Sequence, residues 1–208
     1  MKEVHTIHKL PKEEISLLKS LIGKAINRIL CTGVDIDSNY NLYEFSDAIS
    51  ISFDELREYI VIGADFDETH FGGDFNRLKL SSASKPAYIP TTEEGYIEGK
   101  NVCLMVKPDF RITKIEIHGF SGKDESDNLK LEPFWQIEKN NPSVSITEYI
   151  ESEHVLIFHA KDGRQMLIYP DGILPWMRVS FDNAVINDLI PIKNSDGVIL
   201  TKLKKVIS

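Results

Sequence analysis

The chain has 208 residues, 42% hydrophobic and 27% charged, a composition that supports a buried core and excludes a disordered protein. Two cysteines far apart, Cys31 and Cys103, exclude a disulfide scaffold or a zinc knuckle. The net charge of −8 is concentrated: residues 31–80 carry eleven acidic and three basic side chains, whereas residues 1–30 carry three acidic and six basic ones. Such a region repels phosphates and suits a basic protein surface or a cation, so nucleic acid is not the expected ligand. No apolar run is long enough to cross a bilayer and the first residues have no apolar leader core, so the expectation is a cytoplasmic protein that engages no membrane.

In chain order, the first predicted element is a helix over residues 12–30. Pro11 suits a first helical position, and Glu13 and Glu14 complement the positive end of the helix dipole. Ile15, Leu18, Ile22, Ala25/Ile26 and Ile29 then recur at steps of three and four. Lys12, Lys19, Lys24 and Arg28 form the polar face. Strands follow. AISISFD alternates, with Ile49, Ile51 and Phe53 on one face and Ser50, Ser52 and Asp54 on the other. EYIVIGADF is a second strand, and NVCLMVKPDFRITKIEIHGF reads as two strands about a turn near Pro108-Asp109. HVLIFHAKDGRQMLIYP is a hairpin whose Asp162-Gly163 pair fits a two-residue turn that sets Ala160 opposite Gln165. Both of its faces are mostly apolar, which places it centrally in the sheet. WMRVSF and IPIKNSDGVIL are further strands. The expected fold is α+β: one N-terminal amphipathic helix packed on a mostly antiparallel sheet, mainly β in the C-terminal two-thirds. A single domain over residues 1–208 is expected, with 81–100 and 120–131 as the candidate internal boundaries. The echo of ISFD (51–54) in VSFD (179–182) is too short to establish a repeat.

The densest chemistry lies in VIGADFDETHFGGDF, residues 61–75. In a strand, Ile60, Ile62, Ala64 and Phe66 share one face and Asp65 and Asp67 the other. This parity favours solvent-facing aspartates, followed by a turn from His70 to Asp74 in which Gly72-Gly73 supplies the unusual backbone angles. Contact with a partner is a second reading. A metal site built from Asp65, Asp67 and His70 is a third, since carboxylate and imidazole together suit Mn, Fe or Zn. The spacing matches no EF-hand loop, and VDIDSNYNLYEF fails the same test because Tyr40 stands where glycine is needed.

Other signatures are missing from the sequence. GFSG lacks the G-x-S-x-G spacing, Cys31 opens no helix, no glycine-rich phosphate loop occurs, and the six histidines form no metal signature. No cofactor is expected. The function this leaves is a non-catalytic protein-binding module, of the inhibitor or immunity type, that neutralises a basic partner such as a toxin. Its expected partner surface comprises Asp54, Glu55, Glu58, Asp65, Asp67, Glu68 and Asp74, with Tyr59 and Phe71 among the aromatic anchors. The alternatives are a metal-dependent hydrolase using Asp65, Asp67 and His70, and an oligomer-forming structural subunit.

Overall fold

A computed structural model describes residues 2–38, 41–68, 74–87, 102–126, 146–170, 176–190 and 202–208. The elements in chain order are β1 (Lys2–His8), α1 (Lys12–Ser20), β2 (Ala25–Cys31), β3 (Val34–Asp37), β4 (Leu42–Phe45), β5 (Ile49–Phe53), β6 (Tyr59–Glu68) and β7 (Asp74–Ala83). They continue with β8 (Val102–Ser126), β9 (Ile146–Ala160), β10 (Gln165–Pro170), β11 (Met177–Ser180), α2 (Asn183–Leu189) and β12 (Lys202–Ile207). Ten strands hydrogen-bond in the order β3-β4-β11-β10-β9-β8-β2-β5-β6-β7, while β1 adds to β9 and β12 to β8. The β1–β9 pair is parallel and the rest are antiparallel. The α+β expectation is therefore overturned: this is a mostly antiparallel β protein with two short helices, and no long N-terminal helix lies across the sheet.

The helical reading of residues 12–30 fails for an identifiable reason. Helix α1 stops at Ser20, the chain reverses at Gly23 with φ +82°, and Ala25–Cys31 is strand β2. In a regular strand, residues three apart face opposite sides. Against β5, however, β2 skips one residue between Ile26 and Arg28, a β-bulge at Asn27. The extra residue lets Ile26 and Ile29 both join the core. A strand with a bulge thus imitates the three-residue step of a helix.

The predicted turn near Pro108-Asp109 is also corrected. β8 runs unbroken from Val102 to Ser126. Against β2 its register jumps from Met105 to Phe110, leaving Val106–Asp109 opposite Asn27 alone. Asp109 takes φ +63° here, and Pro108, which has no N–H to donate, costs no ladder bond in a bulge. Beyond this bend the strand leaves β2 and pairs with β9 from Ile112 to Ser126.

The β9–β10 hairpin forms with its register displaced by one residue: Gln165 lies opposite His159, and Ala160 N donates to Arg164 O at 2.8 Å. Gly163 alone of the turn residues takes a positive φ, +85°. A type I′ turn needs two such residues, so the chain uses a three-residue loop that closes on a left-handed glycine. Both faces are covered. Leu156, Phe158, Met166 and Ile168 enter the main core, while Val155, Ile157 and Leu167 meet Ile186 of α2 on the reverse face. Asp182 starts α2 by accepting from Ala184 N and Val185 N.

The main core joins Phe45 of β4, second in the order, to Leu78 and Leu80 of β7 at its far end, so the sheet curls over itself to enclose it. Each large aliphatic side chain buried this way contributes about 1.5–3 kcal/mol. The predicted strand IPIKNSDGVIL lies outside the described residues apart from Ile190.

Where β8 and β9 change register, between His118 and Gly119, the two backbones come unusually close. A Cβ on Gly119 would lie 1.7 Å from the carbonyl oxygen of Ser152. Gly119→Ala is expected to lower stability by about 1–3 kcal/mol through overpacking, read as a lower urea midpoint. Gly122→Ala, whose Cβ would meet nothing nearer than 4.0 Å, leaves the midpoint in place.

Candidate functional site

The bend in β8 helps build a groove of about 610 Å³ at the tip of the β9–β10 hairpin. One wall is the N-terminal arm of β8, through Leu104, Met105, Val106 and Lys107, with Phe110 just past the bulge. The other walls come from Ile36 on β3, Asn41 and Tyr43 beside β4, Arg164 and Gln165 at the hairpin, and Phe181, Asp182 and Asn183 leading into α2. Phe181 holds the aromatic floor together, meeting Tyr43 edge-on at 6.2 Å and Phe110 at 6.4 Å. Ile36 and Met105 are each 65% exposed, so the mouth carries two large apolar side chains in water.

The polar groups around the groove are mostly committed to holding its shape. Arg164 pairs with Asp162 at 2.6 Å, donates to the carbonyls of Lys107 (3.2 Å) and Pro108 (2.9 Å), and lies 5.5 Å over the Phe110 ring. One planar guanidinium thus ties the hairpin tip to the β8 bend. Asp182 accepts from Asn41 Nδ2 at 2.8 Å and from the first amides of α2, and these bonds hold its carboxyl below the usual range. Asn183 accepts from Gln165 N and donates to Gly163 O, joining α2 to the hairpin.

The acidic residues singled out in the sequence are not gathered into one face. Asp54, Glu55 and Glu58 lie in the turn between β5 and β6, and Tyr59 opens β6 half-buried. Asp65 and Asp67 lie further along β6, eight residues from Tyr59 to Asp67, or roughly 26 Å of extended chain. Several of these carboxylates are satisfied internally. Glu55 accepts from Ala25 N at 2.9 Å and pairs with Arg111, and Asp54 accepts from Asn27 Nδ2 at 2.7 Å. Asp65 meets Lys79 at 3.1 Å and Arg77 at 3.4 Å across the β6–β7 pair, and Asp67 meets His8 at 3.3 Å. The two aspartates share a face, half-buried and ion-paired rather than open to solvent. The opposite face matches the expected parity through Ile60, Ile62 and Ala64, but Phe66 is 61% exposed because β6 runs on past the core. Glu68 and Asp74 face each other in the backbone register. Tyr40, His70 and Phe71 lie outside the described residues.

Two cationic side chains already occupy the approach to Asp65 and compete electrostatically with a metal ion there. Among the described residues, no group of three or more His, Cys, Asp or Glu is arranged to hold a metal. Burial pushes the Cys31 thiol up to about 11, which makes it a poor nucleophile. No helix among the described residues is long and apolar enough to cross a membrane.

A second polar cluster lies on the α2 side of the sheet. Burial works against ionising Glu116, yet hydrogen bonds from Lys114 (2.7 Å) and His118 (3.0 Å), together with His159 at 3.4 Å, hold its carboxyl at about 2. Nearby His154 packs edge-on against Phe120. Loss of water there lowers its pKa to about 4, with His118 and Lys204 adding smaller repulsions. His118 itself is buried.

Two outcomes are expected from these arrangements. Replacing Asp65 and Asp67 by Asn removes partly exposed ion pairs worth less than about 1 kcal/mol each. The melting temperatures of both the wild type and this variant are then unmoved by EDTA. His154 favours its neutral form when folded, so its contribution is fully present above pH 6.5 and is lost as pH falls toward 4, on the order of 2–3 kcal/mol. His154→Gln should flatten the decline of the melting temperature across that window. The loss from Glu116 sets in only below its ordinary value of 4.5.

Comparison of the chain with protein-family models, curated proteins and solved structures returns no match, so the site is read from its own geometry.

Proposed function

We propose that this chain is a non-catalytic protein-binding module of the inhibitor or immunity type, acting in the cytoplasm, and that it holds its partner in the groove at the β9–β10 hairpin tip. The observation that carries the reading is the pair of apolar side chains, Ile36 and Met105, left 65% exposed at the mouth of a groove floored by Tyr43, Phe110 and Phe181. Aromatic and large apolar groups in a preformed concavity are the usual anchors of a protein interface. The walls are preorganised by Arg164, Asn183 and Asp182, which lowers the ordering cost of association.

The acidic character has a separate role in this reading. Glu55, Asp65 and Asp67 are engaged within the fold, whereas Asp35 and Glu58 are exposed and Asp54, also exposed, accepts from the neutral Asn27 amide. With the net charge of −8, these groups favour encounter with a basic partner, raising association rate and narrowing partner choice. The groove then supplies the lasting contact.

The test is recovery of a protein from native lysate by three forms of the full chain. The wild type should retain a basic protein, and an Ile36→Asp, Met105→Asp variant should bind it at least about 30-fold more weakly, the equivalent of losing a hot spot of about 2 kcal/mol. An Asp35→Lys, Asp54→Lys, Glu58→Lys variant should keep the partner but associate more slowly at low salt, with the difference closing at high salt. Equal recovery of that protein by the groove variant would remove the groove from the interface.

A further inference from the structure

A strand shows alternate side chains to opposite faces, so a groove lying over one face of β8 would touch every second residue. Before the bulge, this groove touches both Leu104 and Met105, neighbours that regular alternation sets on opposite faces. It therefore runs along the edge of the strand. β8 lies between β9 and β2 in the sheet: β2 takes one edge over Val102–Arg111, and β9 reaches the other only from Ile112 onward. Among the described residues, no strand pairs with that second edge over Val102–Lys107. Among the described residues, the regular stretch of that edge, Val102–Met105, spans about 13 Å, and Arg164 closes it beyond the bulge by capping the carbonyls of Lys107 and Pro108.

We infer that the groove takes an extended segment of the protein partner, added as a strand to the open edge of β8 and resting one bulky apolar side chain against Ile36 and Met105. The inference rests on the groove being the partner site. An unpaired strand edge presents N–H and C=O groups at the spacing of another extended backbone, which neither a helix nor a compact ligand reproduces. In such strand addition the main chain supplies affinity and the side-chain slot supplies selectivity. The same edge is otherwise a template for unwanted pairing. Exposed Lys107 at one end of the arm is the kind of charge that discourages it.

The probes are capped peptides of alternating Thr and Val, with Lys at each end and Phe, Leu, Ser or Glu at the centre, titrated into the full chain and followed by amide NMR and hydrogen exchange. The Phe and Leu peptides should slow exchange of amides within Leu104–Lys107. N-methylation of the peptide amides on the pairing edge should weaken binding at least tenfold, and Met105→Asp, with unaltered melting, should abolish protection. Groove binding that survives N-methylation would overturn strand addition while leaving the groove a partner site. Failure of every peptide to protect these amides would also overturn it. Protection of these amides that persists in the Ile36→Asp, Met105→Asp variant would overturn the side-chain slot and with it the proposal as stated. Loss of the groove as the partner site would appear separately, as equal lysate recovery by that variant.

Discussion

The passage of β8 from β2 to β9 is the constraint on which the rest of the fold depends. β8 pairs with β2 along its first half and with β9 along its second, and near the exchange the four residues Val106–Asp109 bulge out opposite Asn27. A bulge of this size strips ladder bonds from the backbone, so it persists only where other groups replace them. Arg164 does so from the hairpin tip, giving two donors to the exposed carbonyls and its flat face to Phe110. The same bend sets β2, β5, β6 and β7 over β9, β10 and β11 with the main core between them. It also leaves the arm of β8 projecting past the hairpin, which makes the groove. Core and candidate site share one cause.

Much of the strand content could be read from local patterns, because alternation in β5 and the Asp162-Gly163 punctuation report backbone geometry directly. The errors lie where one residue alters the count. Asn27 made β2 look helical, and a single left-handed glycine instead of two shifted the hairpin register by one. Pro108 looked like a turn because, within a continuous strand, it is tolerated only beside a bulge or an edge. Each of these depends on a neighbouring strand supplied by distant sequence.

The groove was harder to see for the same reason. Ile36, Met105, Arg164 and Phe181 come from four separate stretches and no spacing joins them. One hint was present: in VCLMVK, regular alternation puts Met105 on the side opposite Leu104 and Val106, where a solvent-facing strand would carry a polar residue. The acidic stretch, by contrast, attracted notice because its residues are close in sequence. Asp65 and Asp67 lie on β6 and are tied to Arg77, Lys79 and His8. Local density of charge marked a place where strands are cross-linked to their neighbours.

The parallel pairing of β1 with β9 bears on how the molecule is made. Lys2 lies opposite Ile146, a separation of 144 residues. At roughly 5–20 residues per second on the ribosome, β1 waits on the order of 7–30 s for the strand that completes it. Until then its Ile7, still 54% exposed in the finished fold, has no sheet to join, and the hydroxyl of Thr6 lacks the Glu148 carboxylate that receives it. Glu148, fully buried at the end, must in turn stay hydrated until β1 arrives. Closure of this edge is therefore a late event in assembly, and β1, made well before β9, is among the last elements to be secured.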